Sequence, residues 1–71
     1  MPKLPRTSGA AIVKALERLG FVKVRQSGSH VIMRRGPKGC VVPMHSEVKV
    51  GTLAGILRQA DISLDEFTDV L

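Results

Sequence analysis

Two short alternating runs meet at a Ser-Gly pair, and that junction limits the folds open to this chain more than any other stretch. Phe21 to Ser27 and His30 to Arg34 alternate apolar with polar side chains, and a period of two marks a half-buried strand. The linking residues suit a turn, because Gly tolerates positive φ and Ser can bond its own backbone. The stretch reads as an antiparallel hairpin with Ser27 and Gly28 at the centre of the turn. On that register Gln26 faces Ser29, Arg25 faces His30, Val24 faces Val31 and Val22 faces Met33. Four apolar side chains then share the core side, while Lys23, Arg25, His30, Ile32 and Arg34 make a cationic outer face with a histidine in it. Phe21 falls on the polar face in this scheme and has to fold over the sheet edge.

The flanking segments read as follows. Met1 to Thr7, with Pro2 and Pro5, is an extended lead-in. Ser8 is an N-cap, Ile12, Val13, Leu16 and Leu19 lie on one helical face, and Gly20 supplies a left-handed stop. Lys14 and Arg18 point outward as solvated charges or phosphate contacts. After the hairpin, Gly36-Pro37-Lys38-Gly39 forms a four-residue turn and Cys40 to Met44 a third strand, an edge strand because Pro43 has no N–H to donate. If Arg35 faces Cys40, then Val42 and Met44 join the core side and His45 comes opposite His30. Ser46 to Val50 connects to a second helix opening at Gly51-Thr52, whose stripe is Leu53, Ile56, Leu57 and Ala60. Ser63 and Glu66 fit a capping box ahead of a short terminal helix with Phe67, Val70 and Leu71.

The expected fold is therefore α+β in the order α-β-β-β-α: a three-stranded antiparallel sheet with two helices on one face, plus a short C-terminal helix. That order is the arrangement of double-stranded RNA-binding domains. Seventy-one residues make one domain, 1–71, that buries only about 60% of its unfolded surface. Residues 1–60 carry eleven cations and two anions, Glu17 and Glu47, a net of +9, whereas 61–71 carry four anions and no cation. A cationic body with an acidic tail suits a polyanionic partner such as RNA, or else simply a solvated surface. The single cysteine, Cys40, has no partner for a disulfide or a thiolate metal site and points to a reducing, cytoplasmic setting. No stretch has the length of a membrane span or a signal peptide.

Chemistry concentrates at Gly28-Ser29-His30. Imidazole alone among side chains both takes and gives a proton near neutral pH, and here it sits at a hairpin mouth among cations. Ser29 either orients it or serves the turn. His45 is open to three roles: a second proton-transfer group, a phosphate contact or a turn-stabilising side chain. The start of the second helix, with Lys49, Gly51 and Thr52, holds an anion through its free N–H groups or is an ordinary solvated helix start. Two histidines without a carboxylate cluster point to no metal and no cofactor.

The segments Leu19-Gly20-Phe21, Gly28-Ser29-His30, Pro43-Met44-His45, and Gly51-Thr52-Leu53 with Ile56-Leu57 resemble the HicA family of toxin ribonucleases, with similar spacing from the first helix through Phe67. The resemblance implies an mRNA-cleaving toxin with His30 as its catalytic residue, neutralised by a HicB-type antitoxin that covers the active face. Asp61, where glycine often follows the second helix, and Ala54, where a basic residue is common, depart from the pattern. RNA supplies its own nucleophile in the 2′-hydroxyl, so His30 has only to move protons while Arg25, Lys23 or Arg34 stabilise the phosphorane. The competing readings are a non-catalytic RNA-binding module and an adaptor for an acidic protein. Phe21 and Phe67 are the only aromatics, which is poor provision for a base-stacking platform.

Overall fold

The computed structural model describes residues 6–71. Most of the expected extended lead-in, Met1 to Pro5, lies outside the described residues. The elements run α1 (Gly9–Arg18), β1 (Val22–Ser27), β2 (His30–Arg35), β3 (Lys38–Pro43), α2 (Val50–Ala60) and α3 (Leu64–Val70). The strands form one antiparallel sheet in the order β1-β2-β3. This is the expected α+β layout, with β3 on an edge as Pro43 requires. Among the described residues, no helix is long and apolar enough to cross a membrane.

Local chemistry explains the helices. The Ser8 hydroxyl accepts the Ala11 N–H at 3.1 Å, and α1 presents Ile12, Ala15 and Leu16 to the core. Its end is a Schellman motif: Gly20, at φ 94, donates to the Glu17 carbonyl, and Phe21 donates to the Leu16 carbonyl. The chain turns so that Phe21 enters the core, only 2% exposed, and does not lie on the polar face where the expected register put it. The Arg35 guanidinium lies 4.8 Å from the centre of its ring and donates to the Leu19 carbonyl. Arg18 is likewise not a free solvated charge, since it donates to the Val70 carbonyl at the end of α3.

α2 buries Leu53, Ile56, Leu57 and Ala60, the stripe expected from the spacing, and begins one residue earlier than expected, at Val50. Asp61 stands where glycine is favoured and closes the helix in the left-handed conformation at φ 58. A short polar side chain tolerates that region better than most. The Ser63–Glu66 capping box forms as expected, and Phe67 seals the core with no exposed surface.

The first hairpin turns one residue later than expected, which slips the strand pairing by two. Its central turn residues are Gly28 and Ser29, with Ser27 paired to His30. Positive φ occurs at Gly28 and not at Ser29, the pattern of a type II′ turn, which takes Gly at its first central position. Centring the turn on Ser27 would have put serine there. The two-residue slip places Gln26 against Val31 and Arg25 against Ile32 without changing faces, and a bulge between Lys23 and Arg25 then moves Lys23 opposite Met33 and Val22 opposite Arg34. Val22 and Val24 are thus 61% and 56% exposed rather than core residues, and all of β1 is exposed. Val31, Met33, Cys40 and Val42 make the buried face of the sheet.

The second turn uses the same device, Gly36 at φ 59 followed by Pro37. It is a two-residue turn, with Lys38 and Gly39 inside β3, Arg35 opposite Lys38, and His30 opposite Pro43 rather than His45. A slip of two residues keeps every side chain on its expected face, so Cys40 and Val42 remain in the core.

The layers are held together where α1 meets the end of β3. A Cβ on Gly9 would lie 2.1 Å from the Pro43 carbonyl oxygen and 2.8 Å from the Met44 Cα, so no larger residue fits without displacing backbone. The Gly9 N–H donates to the His45 carbonyl at 2.9 Å. Gly55, inside α2, has no atom within 4 Å of its own absent Cβ. Gly9→Ala should cost about 2 kcal/mol through overpacking and lower the melting temperature by roughly 10 °C, whereas Gly55→Ala should raise stability by about 1 kcal/mol through helix propensity; thermal melts followed by circular dichroism check both. Burial pushes the Cys40 thiol up to about 11, and it is 3% exposed. Native protein should therefore resist iodoacetamide at pH 8 and react readily in urea. Because the folded state disfavours the thiolate, this group's contribution to stability is intact below about pH 9 and is lost as pH rises towards 11.

Candidate functional site

His30 opens β2 directly after the type II′ turn, and its side chain is exposed. It does not stand alone on the sheet. His30, Pro43, His45, Glu47, Val48, Lys49 and Thr52 line one hollow of about 360 Å³. The start of β2, the end of β3, the connector to α2 and the first turn of α2 each supply part of the wall.

Backbone contacts fix these pieces. The Met44 N–H donates to the Ser29 carbonyl at 2.6 Å, carrying the β2–β3 ladder one step beyond His30 and binding the Gly28-Ser29 turn to the segment that leads into His45. The His45 carbonyl is held by the Gly9 N–H. Val48, 1% exposed, bridges to Thr7 and donates to its carbonyl at 2.7 Å. The apolar side chain of Val48 is thereby locked inward, while His45 and Lys49 stay exposed on either side of it. At the N-terminus of α2, Lys49 is the cap residue with no side-chain cap bond, and the first turn contains no acid. Its free N–H groups and the Lys49 ammonium both favour an anion.

The residues singled out from the sequence divide into groups. His30, His45, Lys49 and Thr52 line the hollow, and His45 reaches it from beyond β3 although it is not the cross-strand partner of His30. Gly28 and Ser29 form the turn behind His30. Gly51 is exposed in the first turn of α2 and is not among the lining residues. Arg25, paired with Ile32, stays on the His30 face, but the bulge takes Lys23 off it. Arg34 lies on that face farther along β2 and lines a different hollow. Glu47, Pro43 and Val48 were not anticipated as lining residues; the place of Glu47 between His45 and Lys49 was the one available signal. Among the described residues, no group of three or more His, Cys, Asp or Glu side chains could hold a metal ion.

The fold and the hollow together define a small α+β protein with an open cationic sheet face and two exposed imidazoles at one end of it. Residues 9–62 match the family model described as the HicA toxin of bacterial toxin-antitoxin systems. The chain belongs to that family, and is a toxin of a toxin–antitoxin system. No curated protein matches the chain.

Proposed function

We propose that this toxin is a metal-independent endoribonuclease acting on messenger RNA in the cytoplasm, with His30 as its catalytic residue and a HicB-type antitoxin as the partner that covers the active face. The observation that carries this reading is the shared hollow, which sets His30 and His45 beside Lys49 and the uncapped start of α2. An RNA phosphate seated there meets two proton-transfer groups and two sources of positive charge.

In the reaction, one imidazole removes the proton of the ribose 2′-hydroxyl, and the freed oxygen attacks the adjacent phosphorus. Charge grows on the equatorial oxygens of the phosphorane, where Lys49, the α2 N–H groups and Arg25 stabilise it. The 5′-oxygen then leaves and takes up a proton, giving a 2′,3′-cyclic phosphate and a free 5′-hydroxyl. His30 takes the principal role because it stands on the open sheet face; His45 is the partner acid or base, or holds the phosphate. Glu47 is the one carboxylate among the residues that line the hollow. The tether from the Met44 N–H to the Ser29 carbonyl supports a role for the turn in orienting His30.

His30→Ala should reduce RNA cleavage by roughly a hundredfold or more while leaving RNA binding and antitoxin binding in place, read by gel assay and fluorescence anisotropy on partner-free protein with a chelator present. Wild type, and not His30→Ala, should arrest growth when expressed in bacteria. Partner-free wild type that leaves RNA intact at low salt would sink the enzyme reading in favour of an RNA-binding module. A saturating excess of the antitoxin should stop cleavage; undiminished cleavage in the saturated complex would exclude masking of this face.

A further inference from the structure

A second hollow, of about 440 Å³, opens at the other end of the sheet face and is lined by Ile32, Arg34, Gly39, Cys40, Val41 and Gln59. We propose that it is a base-specificity subsite for single-stranded RNA, in which Gln59 reads the edge of one unpaired base resting on Ile32 and Val41 while Arg34 holds the neighbouring phosphate. This rests on the reading of His30 as the centre of RNA cleavage, and it gives a role to Gln59, near the far end of α2.

Three features support the assignment. First, the two hollows lie on one track. His30, Ile32 and Arg34 are alternate residues of β2 and share its outer face, so the track from His30 to Arg34 is roughly 13 Å long at about 3.3 Å per residue. A stretched RNA strand covers that distance in a couple of nucleotides.

Second, the hydrogen-bonding capacity of this hollow is not used up by the sheet. The Met44-to-Ser29 bond sets the alternation of the β2–β3 ladder, so Val31 with Val42 and Met33 with Cys40 occupy the hydrogen-bonded positions. The main-chain N–H and C=O groups of Gly39 and Val41 therefore point away from β2, to the free edge, where both residues line the hollow. Together with the Gln59 amide they present donors and acceptors to whatever lies against Ile32 and Val41. An unpaired base needs such a set, since it is read by hydrogen bonds at its edges.

Third, Arg34 is laid across β3. A Cβ on Gly39 would sit 3.4 Å from the Arg34 Cγ and 3.8 Å from its Nε, so the missing side chain at Gly39 gives the guanidinium stem its bed. Both aromatic rings of the chain are buried. A base on this face therefore lies on aliphatic side chains or a guanidinium plane, which leaves its edge, rather than its π face, as the part that is discriminated.

The test is to cleave a random-sequence RNA pool and sequence the new ends. Wild type should show a base preference at one position a couple of nucleotides from the cut. Gln59→Ala, an exposed substitution whose folding is checked by thermal melt, should weaken that preference by roughly tenfold and leave preferences at other positions standing. A wild-type pool with no preference there, or one that Gln59→Ala leaves unchanged, overturns the subsite without touching the assignment of His30. If wild type cleaves nothing, the assignment of His30 falls, and the subsite is decided by titrating His30→Ala protein with short single-stranded oligonucleotides: amide shifts at Gly39, Val41 and Gln59 that weaken in the double variant with Gln59→Ala uphold it, and their absence overturns it.

Discussion

The molecule depends on one close approach of main chain to main chain, where Gly9 at the start of α1 abuts Pro43 and Met44 at the end of β3. Nothing larger than hydrogen fits at that Cα, and three backbone hydrogen bonds gather around the contact: Gly9 to His45, Met44 to Ser29, and Val48 to Thr7. Each is worth only about 1 kcal/mol net. Their value is geometric, because they join the N-terminal helix, the first hairpin turn and the connector into one frame. Among the described residues, a core of fifteen buried apolar side chains supplies cohesion, and this frame decides where the walls of the histidine hollow stand.

What the sequence made legible was mostly local. The caps at Ser8 and Ser63, the stripe on α2 and the edge position of β3 follow from spacing and from the chemistry of Ser, Glu and Pro, and each depends on residues a turn or two apart. The hairpin register was less accessible, because a Ser-Gly-Ser sequence offers two turn centres and only backbone twist chooses between them. Glycine at the first central position wins. The bulge near Val24 was invisible, since the alternation of β1 looks the same with or without it. Arg18 misled for a different reason: its carbonyl partner, Val70, lies 52 residues away in the chain.

The candidate site shows the same division. Its separate motifs were readable, but their grouping was set by tertiary structure. His45 was expected beside His30 through strand pairing and comes near it through the connector instead. Lys23 was expected on the histidine face and is turned away by the bulge. The departure at Asp61 also resolves physically: the left-handed conformation that favours glycine is adopted by an aspartate, with an exposed ion pair to Lys38 at 3.7 Å that adds little in water.

An open three-stranded sheet has two raw edges, and each is a template on which another chain can polymerise. Here β1 is spoiled for that purpose by its bulge and by Lys23 and Arg25, and one end of β3 is closed off by Gly9 pressed against Pro43. The irregular strand that defeats a simple reading of the hairpin is thus also a guard against self-association.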